Sequence, residues 1–306
     1  MIDIYKKTIR NERLESLDEI QKGSWVLAVD PSDEEIDFLS KKAGLERGHI
    51  LDALDQFESP RFEMEPSGLY VFLRFPFVDD DEIHTIPVLF VLADDFVACV
   101  VRDSKKLFDD FLSEKIEFYT TQKSKLLLFI FLKISLLYRN YLNNINKRVR
   151  SRESNVSRIS SADIVDFVSL ERVLNDFITA LVPASNIYKS LLSKQYLKYF
   201  KEDQDLVEDL LLANDEAVDI CKTNIKMIVN IREAHSTVMT NNLNRAIKFL
   251  TAITIILTLP TMIASVYGMN VMLPFQNHPY AFMGIMAMTV LVVVVAFWVF
   301  YKKNWL

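Results

Sequence analysis

The spacing of hydrophobic residues changes twice along this chain, and each change predicts a different kind of structure. Up to about residue 102, short runs rich in Val, Ile, Phe and Tyr predict strands at 3–9, 24–29, 69–78, 85–92 and 96–102. Between them, Ser32, Asp33, Glu34 and Glu35 carry the N-cap chemistry of a short helix that Gly44 closes. A second short helix is expected through 50–54, and Pro60, Pro66 and Gly68 punctuate the approach to a central hairpin.

From about Ser104 the apolar positions recur at steps of three and four, and no glycine occurs between Gly68 and Gly268. That spacing predicts three long helices at 105–150, 161–199 and 203–266. The basic, serine-bearing segment 147–158 reads as a turn at one end of the stack. Residues 126–137 are strongly apolar, but the run is short and holds Lys133. A spanning helix needs about 20 apolar residues, so this run is expected to be a buried helix core. In the third helix, Leu206, Leu210, Ala213, Ala217, Ile220, Asn224, Ile228, Ile231 and His235 form one stripe suited to packing on other long helices. At about 1.5 Å per residue, roughly 64 residues would extend about 96 Å.

The second change comes after Lys248. Residues 249–267 and 281–301 are continuously apolar and each is long enough to span a bilayer, with a loop at 271–280 between them. Composition sharpens this. All 41 acidic and 35 basic residues lie in 1–248 or at 302–303, leaving 249–301 without a charge. Arg245 and Lys248 precede the first span, Lys302 and Lys303 follow the second, and the loop has neither Lys nor Arg. The positive-inside tendency then puts both termini in the cytoplasm of a multi-pass protein, with the loop outside. The opening MIDIYKKTIRNERLE has no apolar signal-peptide core, so the long first part is expected to stay in the cytosol.

The two spans differ. The second is rich in Val, Met and Phe all round, as a lipid-facing helix would be. The first carries Asn244, Ile247, Thr251, Thr254, Thr258, Thr261 and Ser265 at steps of three and four, a polar stripe interrupted only by Ile247. Small hydroxyls on one face of a membrane helix mean tight packing, with each hydroxyl bonded to its own backbone, or a wet lumen. A stripe this long favours the lumen. Two helices cannot enclose a pore, so the reading needs an oligomer, and a closed ring is the expected symmetry.

Other functions find little support. The net charge of −6 and the lack of a basic, aromatic cluster speak against a nucleic-acid partner. Six glycines and no Gly-Lys-Ser/Thr leave no phosphate-cradling loop for a nucleotide. No Ser–His or Cys–His set stands out, and Cys99 and Cys221 read as packing residues, so no enzyme is expected.

Directly after the first span stands Tyr267-Gly268-Met269-Asn270. A ring of Asn270 carboxamides offers neutral oxygens that can hold Mg²⁺ through its own waters, which that ion gives up reluctantly. Gly268 would let the chain leave the helix and expose backbone carbonyls. With its placement at the end of the first of two C-terminal spans, this segment resembles the Gly-Met-Asn signature of the CorA family of divalent-cation channels. The resemblance covers the whole chain. It implies an α/β cytoplasmic head, a long helical stalk and two C-terminal transmembrane helices, assembled as a funnel-shaped homo-oligomer, a homopentamer. The expected segments are 1–103 (head), 104–248 (bundle and stalk), 249–267 (pore-lining span), 268–280 (motif and loop), 281–301 (second span) and 302–306 (basic tail).

By the same resemblance the filter is Gly268, Met269 and Asn270 and the pore line includes Asn244, Leu250, Thr251, Thr258 and Thr261, to which the stripe adds Ile247, Thr254 and Ser265; Lys302 and Lys303 form a basic ring. Leu250 would gate by dewetting, whereas Thr258 stands where many relatives place a bulky Met. The loop reads Met272-Leu273-Pro274-Phe275-Gln276-Asn277-His278, without the acidic residue of magnesium-transporting relatives, and His278 could ligate a softer metal. Family members are thought to close when the ion binds acids between subunits; Asp209 matches that register, and Asp79, Asp80, Asp81 and Glu82 are the opposing cluster. The expectation is a plasma-membrane channel in a lipid bilayer whose transported and regulatory ion is Mg²⁺. Zn²⁺, Co²⁺ or Ni²⁺ transport, and a membrane-anchored scaffold or sensor without conduction, are the alternatives.

Overall fold

The structure, a computed structural model, describes residues 1–79, 82–153, 159–192, 203–274 and 278–306. It divides into two compact units, Met1–Asn230 and Ile231–Leu306. The first unit is built on a seven-stranded sheet: β1 (Ile2–Thr8), β2 (Asn11–Leu17), β3 (Ser24–Val29), β4 (Arg61–Glu65), β5 (Gly68–Asp79), β6 (Glu82–Leu92) and β7 (Phe96–Val101). Their order is β2-β1-β3-β7-β6-β5-β4, and β3 with β7 is the one parallel pair. All five expected strands are present. The other two, β2 and β4, occupy the two edges of the sheet.

Both faces of the central strands are covered, which is why β3 and β7 read as unbroken apolar runs rather than alternating ones. On one face, α1 (Asp33–Lys41) and α2 (Arg47–Asp52) bury Ile36, Leu39 and Ile50 against Val26, Tyr70, Phe72 and Val91. The expected N-cap of α1 is a full capping box, with Ser32 and Glu35 each bonding the other's backbone N–H, and Gly44 closes the helix at φ +71°. On the other face lie α4 (Lys123–Glu153) and α5 (Ser161–Leu192), where Phe90 meets Phe131 edge-on at 5.0 Å. Residues 126–137 are a buried helix core as expected: Leu126, Leu127, Leu128, Ile130, Phe131 and Ile134 are buried, and Lys133 pairs with Asp110.

The expected helix 105–150 is interrupted. A 3-10 turn at Lys106–Phe108 leads into the short α3 (Asp109–Leu112), and α4 begins only at Lys123. The cause is the intervening segment, which docks on β1. Thr120 is buried, its N–H donates to the Lys7 carbonyl at 3.0 Å, and its hydroxyl bonds the Lys7 N–H and the Gly23 carbonyl. Glu114, in a left-handed conformation, accepts from the buried Lys7 ammonium at 2.7 Å. Below it, Phe108, Phe111 and Phe118 surround Trp25, whose indole N–H donates to Cys99 at 3.3 Å. Cys99 and Cys221 are buried free thiols that burial pushes up to about 12, as packing residues should be. The expected continuation of α5 to 199, and residues 154–158 of the basic turn, lie outside the described residues.

The last two helices are α6 (Gln204–Tyr267), which holds the division between units within its length, and α7 (Ala281–Lys302). In the first unit, Val207, Leu210, Asn214, Ala217, Cys221, Asn224 and Ile228 form a buried face at alternating steps of three and four. The expected stripe is turned slightly from it: Leu206, Ala213 and Ile220 flank the buried line as half-exposed residues.

Candidate ion-conduction site

Beyond Arg232 the chain buries almost nothing. Among the described residues from there to the C-terminus, Ala252 is the one buried position, although Leu250, Leu257, Met262 and most of α7 are large and apolar. Both α6 and α7 are long and apolar enough to cross a membrane. So is α4, but half of its most apolar stretch is buried in the sheet unit, which accounts for its composition without a bilayer.

The polar line on α6 keeps the spacing read from the sequence, and each of its members is exposed. Each threonine hydroxyl donates to a carbonyl one turn back: Thr251 to Ile247 at 2.8 Å, Thr254 to Leu250 at 2.9 Å, Thr258 to Thr254, and Thr261 to Leu257 at 3.0 Å. This satisfies the single donor of each hydroxyl and leaves its oxygen lone pairs outward. The stripe can therefore accept hydrogen bonds from water, including water already polarised by a cation, without unwinding the helix. Thr261 lies beside Pro260, around which α6 continues.

Gly268 follows the last residue of the helix, and its N–H donates to Ala264 at 2.9 Å and Ser265 at 3.2 Å. Its φ is not left-handed. Glycine serves here through close approach: a Cβ would sit 3.3 Å from the Ala264 carbonyl oxygen, tighter than ordinary contact. The freedom of backbone expected of Gly268 is thus a steric allowance rather than a change of handedness. Met269 and Asn270 are exposed, and Asn270 does not take the left-handed conformation of a helix cap. His278 is occupied locally: its Nδ1 accepts from the Tyr280 N–H at 3.3 Å, at the start of α7. That fits an element start better than a metal ligand. Phe275, Gln276 and Asn277 lie outside the described residues.

At the far end of α7, Lys302 lies over the Trp298 ring at 5.2 Å. Asn304 adopts φ +54°, its N–H reaches Tyr301, and the Trp305 N–H reaches Phe300 while the two rings stack at 5.5 Å. Together these form a Schellman stop with its apolar contact, fixing where Lys302 and Lys303 emerge.

The described members of the expected regulatory set, Asp79, Glu82 and Asp209, are not gathered within one chain. Asp79 and Glu82 pair across the β5–β6 hairpin, and Asp80 and Asp81 lie outside the described residues. Glu82 already accepts from Arg172 at 3.1 Å. Asp209 is exposed on α6, at the edge of a groove shared with Leu136 and Arg139. Among the described residues these acids form no ligand set; the set that does come together, His49, Glu63 and Glu65, was not singled out from the sequence. The strict alternation Arg61-Phe62-Glu63-Met64-Glu65 was the available signal, because it puts three charged side chains on one strand face.

Known proteins place this architecture. The complete structure of the CorA magnesium transporter from Methanocaldococcus jannaschii superimposes with a TM-score of 0.87 at 23% identity, covering 100% of this chain and 99% of that one. Full-length CmaX gives 0.77 at 21% identity, with 99% and 97% covered. The ZntB cytoplasmic domain from Vibrio parahaemolyticus gives 0.64 at 9% identity over 78% of this chain and 98% of its own. In sequence, the cobalt/magnesium transport protein CorA of M. jannaschii is 24% identical over 294 residues, 92% of this chain and 91% of that protein. A magnesium transport protein CorA of Campylobacter jejuni is 26% identical over 165 residues, about half of each chain. The sequence pattern of the family described as "CorA-like Mg2+ transporter protein" matches residues 20–302. With that match running nearly end to end, the chain belongs to the CorA family.

Proposed function

We propose that this protein is a passive divalent-cation channel of the plasma membrane, assembled as a homopentamer and carrying Mg²⁺ inward. The observation that supports it most is the exposed hydroxyl line of α6, running from Thr251 to Ser265 and ending at Gly268-Met269-Asn270. Side chains left uncovered in one chain need lipid on one side and copies of the same helix on the other. In a ring, Asn244, Ile247, Leu250, Thr251, Thr254, Thr258, Thr261 and Ser265 face the axis, and the Asn270 carboxamides bind the ion through its hydration shell.

The proposed segments are a cytoplasmic head at 1–103, a stalk at 104–248, spans at 249–267 and 281–301, the outer motif and loop at 268–280 and the tail at 302–306, with both termini inside. No nucleotide drives transport. An inside-negative potential supplies about 2.3 kcal/mol per charge per 100 mV, hence roughly 4.6 for a divalent ion, enough to favour influx. Internal Mg²⁺ closes the gate by bridging Asp209 of one subunit to the acidic cluster Asp79, Asp80, Asp81 and Glu82 of the next. Without the ion these carboxylates repel, and with it neighbouring stalks are held together.

Purified protein in liposomes under an inside-negative potential should take up Mg²⁺, and Asn270→Ala should abolish uptake. Uptake unchanged in Asn270→Ala would leave a scaffold or sensor as the better reading. Asp209→Lys should weaken inhibition by internal Mg²⁺, and an unaltered Mg²⁺ dependence counts against the regulatory pairing. A second reading, transport of Co²⁺ or its neighbours Zn²⁺ and Ni²⁺, is favoured by the loop's lack of a carboxylate and by the name of the M. jannaschii relative. Competition among these ions in the same vesicles separates the two.

A further inference from the structure

On the edge strand β4, Arg61, Glu63 and Glu65 alternate onto one face, in register with Phe72, Tyr70 and Gly68 of β5. Helix α2 crosses that face and lays His49 on it, 4.8 Å from the Tyr70 ring and 5.9 Å from that of Phe72. The imidazole is only 14% exposed, so its direction is set by packing. Its Nε2 stands 3.6 Å from Glu63 Oε2 and 3.5 Å from Glu65 Oε1, and the three atoms all lie within 4.8 Å of one another. Asp52 lies behind, 3.8 Å from Nδ1.

We propose that His49, Glu63 and Glu65 form a binding site for a transition-metal cation, Zn²⁺ or Co²⁺ in class, that ties α2 to the sheet edge. A tetrahedral ion with ligands at about 2.0–2.2 Å separates neighbouring ligand atoms by about 3.4 Å, close to both imidazole–carboxylate spacings here. The same spacings are long for a charge-assisted hydrogen bond. One imidazole with two carboxylates suits zinc and its neighbours, whereas Mg²⁺ prefers oxygen alone. Three protein ligands leave a fourth position for water.

Arg61 is the opposing charge, and its bonds are accounted for. It donates to Glu63 Oε1 at 2.7 Å, to Asp52 at 2.7 Å and to Glu58, and its guanidinium stacks 4.0 Å over Phe72. It thereby holds the distal oxygen of Glu63, keeps that carboxyl below its ordinary range and turns Oε2 toward His49. Three carboxylates (Asp52, Glu58 and Glu63) accept from this one guanidinium and Glu65 faces His49 instead, so acids outnumber the guanidinium and leave the patch attractive to a cation.

Cobalt provides the test. Full-length protein in detergent, titrated with Co²⁺ in excess Mg²⁺, should bind one ion per chain with the intense visible bands of four-coordinate cobalt, and Zn²⁺ should displace it. His49→Gln and the half-exposed Glu65→Gln should each lose the bands while keeping the wild-type circular dichroism. Asn270→Ala should keep them, which separates this site from the conduction path. Zn²⁺ should also raise the melting temperature of the wild type but not of His49→Gln. Absence of the bands in wild type, or their survival in both head variants, would overturn the site and leave an ordinary histidine–carboxylate pair. Neither result bears on flux through the pore.

Discussion

The two ends of α6 carry the same three-and-four periodicity and put it to opposite uses. From Val207 to Ile228 the periodic face is buried within its own chain, against helices that begin as far back as Lys123. From Asn244 to Ser265 the periodic face is polar apart from Ile247, and Ala252 is the one buried residue around it. A periodic stripe therefore states that a helix has a preferred partner without stating who the partner is. The chemistry of the stripe decides. Leu210, Ala217 and Ile228 can be satisfied by the hydrophobic effect in one chain, whereas the oxygens of Thr251, Thr254, Thr258 and Thr261, already donating to their own helix, can still accept from water or from another helix.

The sharpest way to break this contrast is at the Gly268-Met269-Asn270 end of α6. Asn270→Ala removes a neutral hydrogen-bonding group worth on the order of 1 kcal/mol from every subunit at once. Compounded around a ring, flux should fall by more than about tenfold, with the melting of the head unchanged. Next in size is a matched pair of truncations. Leu210 is fully buried, so Leu210→Ala should cost the first unit, Met1–Asn230, about 2–5 kcal/mol. Leu257 is 66% exposed, and Leu257→Ala should shift denaturant unfolding of the same unit by less than about 0.5 kcal/mol. Equal effects of the two would mean that the ends of α6 are not energetically distinct.

The threonines sharpen the comparison further. Because each hydroxyl already donates to its own helix and Val matches Thr in helix propensity, replacing Thr251, Thr254, Thr258 or Thr261 by Val should change helix stability by less than about 0.7 kcal/mol per site. If the outward lone pairs face water, uptake of Mg²⁺ should nonetheless fall with each added Val. Flux that stays level across the series would assign the stripe to dry packing, as would cysteines at 254 and 258 that no aqueous reagent can label.

How much of this could be read beforehand depended on whether a segment speaks through its own residues. The charge-free spans, the capping box at Ser32 and Glu35 and the buried core at 126–137 each contain their own reason, and each was legible. Strands β2 and β4 were not, because NERLESL and RFEME carry the charged residues that protect a sheet edge and so lack the β-branched signal of a central strand. The break in 105–150 was hidden for a different reason. Thr120 looks like an ordinary helix-surface residue until Lys7 and Gly23, about a hundred positions away, claim its hydroxyl. His49 with Glu63 and Glu65 depends in the same way on strand register and on where α2 crosses. The proposed pore line lies between these cases: its spacing is local, but the partner proposed for it is another chain.

The smallest expected effect tests a joint that sequence marked only as a turn. Arg152 in the last turn of α4 donates to Asp163 at 2.7 Å, and Asp163 also accepts from the Ser160 backbone N–H at 2.9 Å in the first turn of α5. The Ser160 backbone bond first, and the Arg152 guanidinium after it, hold the Asp163 carboxyl down at about 2, below its ordinary 3.8. A carboxyl depressed by folding stabilises the folded state above its unfolded pKa, near 4, and that contribution disappears as pH falls from about 4 to about 2. Asp163→Asn should therefore melt slightly below the wild type at neutral pH, and the two should converge at about pH 2. Because Asp163 lies at the surface, the difference should shrink in high salt. A gap between the two proteins that persists at pH 2, or that opens only in acid, would show that the α4–α5 junction is held by something other than this carboxylate.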